Sequence, residues 1–296
     1  MNKPNLFLIG SMKSGTTTLH DLLAEHPDIS MSEPKEPCYF VDPDLLKNLW
    51  PEMWRMGYWK DEQAYLALFS GKSGAKYFGE SSTDYTKMPK ISGVVEKIVA
   101  YSPEARFVYI MRDPIERTLS HYWHMVEHRG EQRAALDAIA QDSHYRDVSH
   151  YAYQLAPYIE HFGRDRIYAL TFEELKSDTL GTVRAVYDWL GVDPTFIPQG
   201  LRQASNVTPQ QITQKREVAG ALDRLRHSAI WGRIGPYFPD GLRRLGVTLV
   251  ERKISRTQVD MSEVMRYLRP IQRPQTEALA QMLGRRFDEW KTLYDK

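Results

Sequence analysis

Short apolar runs alternate with longer amphipathic segments through the first 190 residues of the chain. The apolar runs are typical of buried strands, and they predict strands at residues 6–9, 75–79, 106–111 and 166–170. Between them, apolar residues at helical spacing predict helices at residues 16–25, 61–69, 90–100, 114–127, 133–141, 151–162 and 179–190. Strands that alternate with helices indicate βαβ units. The pattern therefore predicts a three-layer α/β fold whose mostly parallel central sheet is flanked by helices.

Two segments interrupt this alternation, at residues 41–60 and 228–246. Both are rich in large aromatic residues among prolines, glycines and charges: Trp50, Trp54, Tyr58, Trp59, Trp231, Tyr237 and Phe238. Large apolar side chains in segments that otherwise resemble loops usually pack against a partner. We therefore expect both segments to cross the edge of the sheet and to form a lid or the wall of a cleft.

The chain has 296 residues, which suits one large α/β domain. After about residue 208 the pattern becomes helical and basic, and an amphipathic helix is predicted at residues 274–293. No internal repeat and no low-complexity linker divides the sequence. We predict a single domain over residues 1–296, with decorations at 41–60 and 205–262.

Composition and charge reduce the number of functional classes to which the chain can belong. The net charge of +1 argues against binding of nucleic acid by a basic surface, so any anion site must be local. No apolar run approaches the length of a membrane span, and the first predicted strand begins too early to follow a signal peptide. A single cysteine, Cys38, permits no internal disulfide. These features predict a cytoplasmic protein without an integral membrane segment and without a nucleic-acid partner.

The loop after the first strand has the pattern of a phosphate cradle. Gly10 and Gly15 bracket a tight turn, and a helix follows directly, so backbone N–H groups and the helix dipole favour an anion there. A Walker A loop would place lysine after the second glycine, whereas Lys13 stands inside the loop. The stretch resembles the 5′-phosphosulfate loop of sulfotransferases that use 3′-phosphoadenosine 5′-phosphosulfate (PAPS). The alternative is a plain βα turn rich in hydroxyl residues. The resemblance implies these cofactor-binding residues: Lys13, Ser14, Gly15, Thr16, Thr17 and Thr18.

A second motif, Arg112-Asp113-Pro114 followed by Ser120, comes directly after the third predicted strand. The carboxyl ends of parallel strands are where open α/β folds bind ligands, and an arginine fork suits phosphate oxygens. Asp113 and Pro114 suit the start of the next helix. The motif resembles the 3′-phosphate site of the same family, which implies that Arg112 and Ser120 bind the cofactor. The alternative is an arginine paired with a local acid.

Two further motifs carry the chemistry of the acceptor. Pro34-Lys35-Glu36-Pro37 resembles a segment of the heparan-type and related bacterial sulfotransferases, in which the glutamate is the general base; the alternative is a solvated charged turn. Glu80 to Tyr85 resembles the stretch that lines the acceptor site, although a serine-rich turn closing a strand is an equal alternative. Ser81 stands where the heparan-type enzymes often have lysine, which weakens any inference to an anionic sugar polymer.

The family also has histidine after the helical serine, which implies that His124 faces the acceptor; the alternative is a structural histidine. His124 and His128 have metal-binding spacing, but no third ligand set is evident, so no metal is predicted. The basic loop with which the family closes over the cofactor has no clear counterpart in residues 202–208, where Arg202 or the Lys215-Arg216 pair is a weak substitute.

The four motifs occur in family order across residues 6–190. They predict a PAPS-dependent sulfotransferase that transfers the sulfuryl group directly to a hydroxyl or amine of a small-molecule, lipid or natural-product acceptor and releases 3′-phosphoadenosine 5′-phosphate. Lys13 and Glu36 are the predicted catalytic residues. The predicted acceptor-binding residues are Lys35, Glu80, Ser82 and His124, with Glu80 also a competing base. The alternatives are an ATP-dependent small-molecule kinase and a non-catalytic nucleotide binder.

Overall fold

The computed structural model describes residues 3–202, 211–215, 251–255 and 259–294. The aromatic segment predicted at 228–246 lies outside these residues, as do residues 203–208 and Arg216 of the cofactor-closing region. The decoration predicted at 205–262 is therefore described only in part, and the single domain over 1–296 stays a prediction.

Five parallel strands form the central sheet of the described residues, in the order β2-β3-β1-β4-β5. The strands are β1 (Leu6–Leu8), β2 (Ile29–Met31), β3 (Tyr77–Ser81), β4 (Arg106–Met111) and β5 (Ile167–Thr171). The central strand β1 pairs with β3 and β4, so that Leu8 lies opposite Ser81 on one side and Val108 on the other. Only β2 was not predicted, because its three residues carry a serine between two apolar side chains and show no run.

Helices cover both faces of the sheet, which confirms the three-layer α/β prediction. Three of them, over 16–25, 151–162 and 179–190, have the predicted bounds. The helices of the first 202 residues are α1 (Thr16–Glu25), α2 (Pro43–Leu49), α3 (Pro51–Met56), α4 (Glu62–Ala67), α5 (Val94–Tyr101), α6 (Pro114–His128), α7 (Ala135–Gln141), α8 (His144–Asp147), α9 (Tyr151–Phe162), α10 (Phe172–Ser177) and α11 (Thr179–Leu190).

The core consists of two apolar clusters that the sheet separates. Successive side chains of a strand point to opposite faces, so Phe7 of β1 joins one cluster while Leu6 and Leu8 join the other. The Phe7 side packs against α5, α6 and α9, and the Leu6 side packs against α1 and α11. All three strand residues are completely buried, which explains why their sequence reads as a continuous apolar run.

The chain beyond residue 208 differs from its prediction. Residues 211–215 and 251–255 form an antiparallel strand pair, β6 (Gln211–Lys215) and β7 (Glu251–Ser255), where a helical pattern was predicted. The helix predicted at 274–293 begins earlier, as α12 (Ser262–Leu283), and includes Pro270 and Pro274 in its interior. It ends at Gly284, whose φ of 66° is the left-handed value typical of a helix C-terminus, and a separate short helix α13 (Lys291–Tyr294) follows.

The segment at 41–60 is also mostly helical, since it holds α2, α3 and a 3-10 turn at Tyr58–Lys60. Trp50 and Trp54 are half-buried and pack on the edge of the core. No helix of the described ranges has the length and apolar character that a membrane span requires.

Candidate active site

The loop between β1 and α1 contains two residues in the left-handed backbone conformation, and one of them is a glycine. Lys13 adopts a φ of 68° and Gly15 a φ of 89°, both in the left-handed region. A Cβ atom at position 15 would come within 2.8 Å of the Phe172 ring, so glycine is required there for space as well as for backbone conformation. Ser11 and Ser14, both fully buried, hold the loop closed through a contact of 2.6 Å between their hydroxyl oxygens.

Helix α1 begins directly after this loop. Gly15 occupies the N-cap position and has no side chain to accept hydrogen bonds from the first turn, which contains Thr16, Thr17 and Thr18. The free N–H groups of a first turn, together with the helix dipole, favour an anion. The loop and helix thus provide the donors that a phosphate group requires.

Arg112 extends from the end of β4 towards the same loop. Its guanidinium lies 5.2 Å from the centre of the Phe172 ring and donates to the backbone oxygen of Lys13 at 3.5 Å. It also forms an ion pair with Glu116 at 3.1 Å. Arg112 therefore makes both of the contacts that the sequence left open, one with the loop and one with a local acid. Glu116 precedes Ser120 by four residues and therefore shares its face of α6, where Ser120 is buried.

Asp113 joins two helix N-termini. Its carboxylate accepts hydrogen bonds from the N–H groups of Ile115 and Glu116 at the start of α6, at 3.0 and 3.3 Å. It also accepts from the N–H and hydroxyl of Thr292, at 2.9 and 2.6 Å. The strand end that carries Arg112 is therefore fastened to residues near the far end of the chain.

Lys35 and Glu36 lie over the carboxyl end of β3, because the N–H of Glu36 donates to the backbone oxygen of Ser81 at 2.9 Å. The Lys35 ammonium donates to the Glu36 carboxylate at 2.7 Å and to the hydroxyl of Thr16 at 3.4 Å. Burial alone would raise the pKa of Glu36, but the charges of Lys35 and Lys87 and the hydrogen bond from Lys35 hold that pKa below its usual value. Glu36 is therefore ionised at neutral pH, and its side chain keeps 35% of its surface exposed.

Glu80 has a different environment, since it is completely buried. Its carboxylate accepts a hydrogen bond of 2.8 Å from the hydroxyl of Tyr65. Burial raises the pKa of Glu80 to about 7, against the opposing effect of hydrogen bonds from Tyr85, Tyr65 and Ser82. Ser82 is also buried, and its hydroxyl accepts from the N–H of Cys38 at 3.2 Å. Glu80 and Ser82, two of the four predicted acceptor-binding residues, are thus buried inside the protein.

His124 is close enough to the loop for the charge of Lys13 to act on it. Burial and, to a smaller extent, the neighbouring Lys13, His128 and Lys87 lower the pKa of His124 to about 4. The imidazole is therefore neutral at neutral pH, with one nitrogen able to accept a hydrogen bond. Its ring lies 4.6 Å from that of His128, but no group of three potential metal ligands occurs among the described residues.

Sequence reasoning missed a buried ion pair at this edge of the sheet. Lys87 pairs with Asp84, and each side chain is only 3% exposed. The ring centre of Trp50 lies 4.9 Å from the Lys87 ammonium, so the aromatic segment at 41–60 reaches this edge. The spacing of the two residues was the available signal, since they stand three apart in the turn after β3.

Several histidines are buried, and we therefore predict that the folded protein loses stability in mild acid. Burial lowers the pKa values of His20 and His124 to about 4 and that of His144 to about 3, so all three are neutral when folded. Unfolded histidine titrates near pH ~6.5, so protons favour the unfolded state below that pH. Glu80 opposes this trend, because its raised pKa stabilises the fold as the pH falls from 7. The destabilising effect of the three histidines should exceed the stabilising effect of the one glutamate. The melting temperature should therefore fall as the pH is lowered from ~6.5 to ~4.

The measurement is thermal unfolding followed by circular dichroism across this pH range. His144→Gln should reduce the slope of melting temperature against pH, whereas His161→Gln, at an exposed position, should leave it unchanged. A melting temperature that is constant or rises as the pH falls to ~5 would contradict the assignment of neutral buried histidines.

Comparison with known proteins places this site in a family. The model of the Sulfotransferase family matches residues 4–196. The bifunctional heparan sulfate N-deacetylase/N-sulfotransferase 1 of Caenorhabditis elegans is 25% identical over 253 residues, which cover 81% of this chain and 28% of that protein. The mouse heparan sulfate glucosamine 3-O-sulfotransferase 3B1 is 24% identical over 200 residues, covering 64% of this chain and 46% of that protein. This chain thus spans less than half the length of both relatives.

A solved structure shares the fold of this protein. The sulfotransferase of Alicyclobacillus acidocaldarius superimposes with a TM-score of 0.69 over 98% of this chain and 99% of its own, at 23% identity. The family match covers all four motifs and the strands that carry them. The chain therefore belongs to the sulfotransferase family, the PAPS-dependent class that the motifs predicted.

Proposed function

We propose that this protein transfers the sulfuryl group of PAPS to a hydroxyl or amine of a small-molecule, lipid or natural-product acceptor, in a single in-line step. The observation that carries the proposal is the position of Lys35. Its ammonium contacts Thr16 of the phosphate cradle and Glu36 of the base motif, at 3.4 and 2.7 Å. One side chain thus connects the predicted cofactor site with the predicted base.

The donors of the site fit the two ends of PAPS. The loop at Lys13 and the first turn of α1 supply N–H groups and positive charge for the 5′-phosphosulfate. Arg112 provides a planar fork for the 3′-phosphate, with Ser120 on the adjacent helix face. When bound, PAPS supplies the sulfuryl group and 3′-phosphoadenosine 5′-phosphate as the leaving group.

The protein's own residues then align and stabilise charge. Lys13 offsets the negative charge that develops on the leaving phosphate. Glu36, which is ionised and partly exposed, takes the proton of the attacking hydroxyl or amine. Glu80 is completely buried and its pKa is raised to about 7, which makes it the weaker candidate for the base.

The acceptor is proposed to be apolar or aromatic. Trp50 lies against Lys87 at the edge that carries Glu36, and Trp54 stacks on Trp59 with ring centres 5.8 Å apart. These half-buried rings offer a flat apolar wall. The named relatives act on heparan sulfate, but Ser81 here is buried and hydrogen-bonded to His20 at 2.7 Å, so that position offers no charge to an anionic sugar.

The test is a transfer assay with PAPS labelled in the sulfuryl group. A panel of phenols, long-chain alcohols, amines and heparan sulfate would be incubated with the enzyme, and labelled products identified by mass spectrometry. Transfer to a phenol or alcohol supports the proposal, and transfer to heparan sulfate alone contradicts the acceptor class. Parallel incubation with γ-labelled ATP tests the kinase alternative, while binding of the cofactor without any transfer would indicate a non-catalytic binder.

Arg112→Ala is predicted to distinguish the two phosphates of the cofactor. Loss of a charged hydrogen-bond donor should weaken binding of 3′-phosphoadenosine 5′-phosphate by roughly 1.5–3 kcal/mol, measured by calorimetry. Affinity for adenosine 5′-phosphosulfate, which lacks the 3′-phosphate, should hardly change. Arg106→Ala is the matched control, because Arg106 lies at the opposite end of β4 and donates to Trp189. Equal losses for both ligands would place Arg112 elsewhere in the site.

A further inference from the structure

A buried tyrosine holds the backbone of Arg112. Tyr151 is the first residue of α9, and only 1% of its surface is exposed. Its hydroxyl donates to the backbone oxygen of Arg112 at 2.7 Å and accepts from the backbone N–H of the same residue at 3.4 Å. Arg112 directly follows Met111, the last residue of β4. One hydroxyl thus engages both backbone polar groups of the residue that is proposed to bind the 3′-phosphate.

The core fixes the ring of Tyr151 from two sides. Its centre lies 5.7 Å from that of Trp290, which is completely buried, and 6.0 Å from that of Tyr109 on β4. A ring packed in this way has little freedom, so the surrounding core sets the position of its hydroxyl. Burial raises the pKa of Tyr151 to about 12, and the hydroxyl therefore keeps the proton that it donates to Arg112.

The side chain of Arg112 is held less firmly than its backbone. Its guanidinium donates to the backbone oxygen of Lys13 at 3.5 Å, a long hydrogen bond, and to the Glu116 carboxylate at 3.1 Å. A long side chain loses conformational freedom when it binds a ligand, and this loss is smaller when the group that carries it is already fixed. A fixed backbone at Arg112 therefore favours binding of a phosphate by its guanidinium.

A separate set of hydrogen bonds holds the next residue, Asp113. Its N–H donates to the Glu173 carboxylate at 3.0 Å, and the other oxygen of that carboxylate lies 3.3 Å from the indole N–H of Trp290. The Asp113 carboxylate also accepts from Thr292. These bonds do not involve the Tyr151 hydroxyl. Loss of that hydroxyl should therefore loosen Arg112 while the strand end stays in place.

We propose that Tyr151 is a positioning residue for the cofactor, whose hydroxyl fixes the backbone of Arg112 so that the guanidinium meets the 3′-phosphate. The inference rests on the proposed role of Arg112 in binding that phosphate. Tyr151 acts through Arg112 and not by contact with the cofactor, because its hydroxyl is engaged by the Arg112 backbone and its ring lies in the core. Its effect is thus limited to ligands that carry a 3′-phosphate and to proteins that carry Arg112.

The experiment compares two deletions of a single hydroxyl oxygen in the same helix. Tyr151→Phe removes the hydroxyl and keeps the ring. Tyr158→Phe is the matched control, because Tyr158 is equally buried in α9 and its hydroxyl donates to the backbone oxygen of Tyr85 at 2.8 Å. Calorimetry measures the affinity of each variant for 3′-phosphoadenosine 5′-phosphate and for adenosine 5′-phosphosulfate, and circular dichroism measures its fold.

Tyr151→Phe should weaken binding of 3′-phosphoadenosine 5′-phosphate by ~3–10-fold, the loss typical of one hydrogen bond. Its affinity for adenosine 5′-phosphosulfate should hardly change, and Tyr158→Phe should bind both ligands as the wild type does. In the Arg112→Ala background, Tyr151→Phe should cause no further loss, because the guanidinium through which the hydroxyl acts is absent. The KM for PAPS should rise in Tyr151→Phe while kcat is retained.

Equal losses for both ligands in Tyr151→Phe, or a further loss in the Arg112→Ala background, would overturn the inference. Unchanged affinity for both ligands would do the same. A Tyr151→Phe variant that does not fold where Tyr158→Phe does would assign the hydroxyl to the stability of the whole protein, which also overturns a positioning role. These results leave the proposed 3′-phosphate site intact if Arg112→Ala loses affinity selectively. Failure of Arg112→Ala to do so would overturn that site instead.

Discussion

Lys13→Ala is expected to abolish turnover while leaving the fold intact. Lys13 is half-buried in a surface loop, and its charge already reaches His124 across the site. Loss of one charge-stabilising donor at a developing anion lowers kcat by ~10²–10³-fold, and a full positive charge should account for at least that much. Alanine adopts the left-handed φ of 68° no less readily than lysine, so backbone strain does not change.

Turnover is measured by transfer from labelled PAPS, and the fold by circular dichroism and thermal unfolding. Lys60→Ala, at an exposed position in the aromatic segment, is the matched control and should retain normal kcat. A near-normal kcat in Lys13→Ala would mean that the loop binds phosphate without taking part in the transfer. A melting temperature several degrees below that of the wild type would mean that the loss of activity reports unfolding.

Glu36→Gln is expected to lower kcat by ~10²–10⁴-fold, the range typical of general-base catalysis. Glutamine keeps the shape of the side chain and can still accept a hydrogen bond from Lys35, but it cannot take a proton. Affinity for 3′-phosphoadenosine 5′-phosphate, measured by calorimetry, should change little, because Glu36 contacts Lys35 and not the loop backbone.

Glu80→Gln is the comparison that decides between the two carboxylates. Because Glu80 is fully buried and accepts from Tyr65, its replacement should act mainly on stability, with kcat reduced far less than in Glu36→Gln. The opposite result, an active Glu36→Gln and an inactive but folded Glu80→Gln, would assign the base to the end of β3.

The fold was predictable where periodicity was strong. Helices α1, α9 and α11 have the predicted bounds because each carries a clear apolar stripe, and β1 and β4 are continuous apolar runs. Tertiary contacts decided the rest. The strand β2 is too short to show a pattern and is defined by its pairing with β3. Helix α12 contains two prolines that a sequence pattern treats as breaks, yet the helix continues through both.

The site was predictable to the extent that its residues lie in short motifs. Lys13, Arg112 and the Lys35-Glu36 pair occupy strand ends that the topology brings to one edge, and the observed contacts join them. Phe172 and Lys87 were missed because their significance depends on distant partners. Phe172 lies against Gly15 and Arg112, and the Asp84–Lys87 pair contacts Cys38 and Trp50. Contacts between residues so far apart in the chain leave no local pattern in the sequence.

The hydrogen bonds between Asp113 and Thr292 set the time at which the proposed cofactor site is completed during synthesis. The two residues are 179 positions apart, yet Thr292 helps to hold the strand end that carries Arg112. At ~5–20 residues per second, a ribosome needs roughly 9–36 s to reach Thr292 after Asp113. All five described strands of the central sheet, the last of which ends at Thr171, are therefore synthesised before the strand end that carries Arg112 is anchored. A nascent chain stalled before residue 290 should have a folded central sheet but a lower affinity for 3′-phosphoadenosine 5′-phosphate.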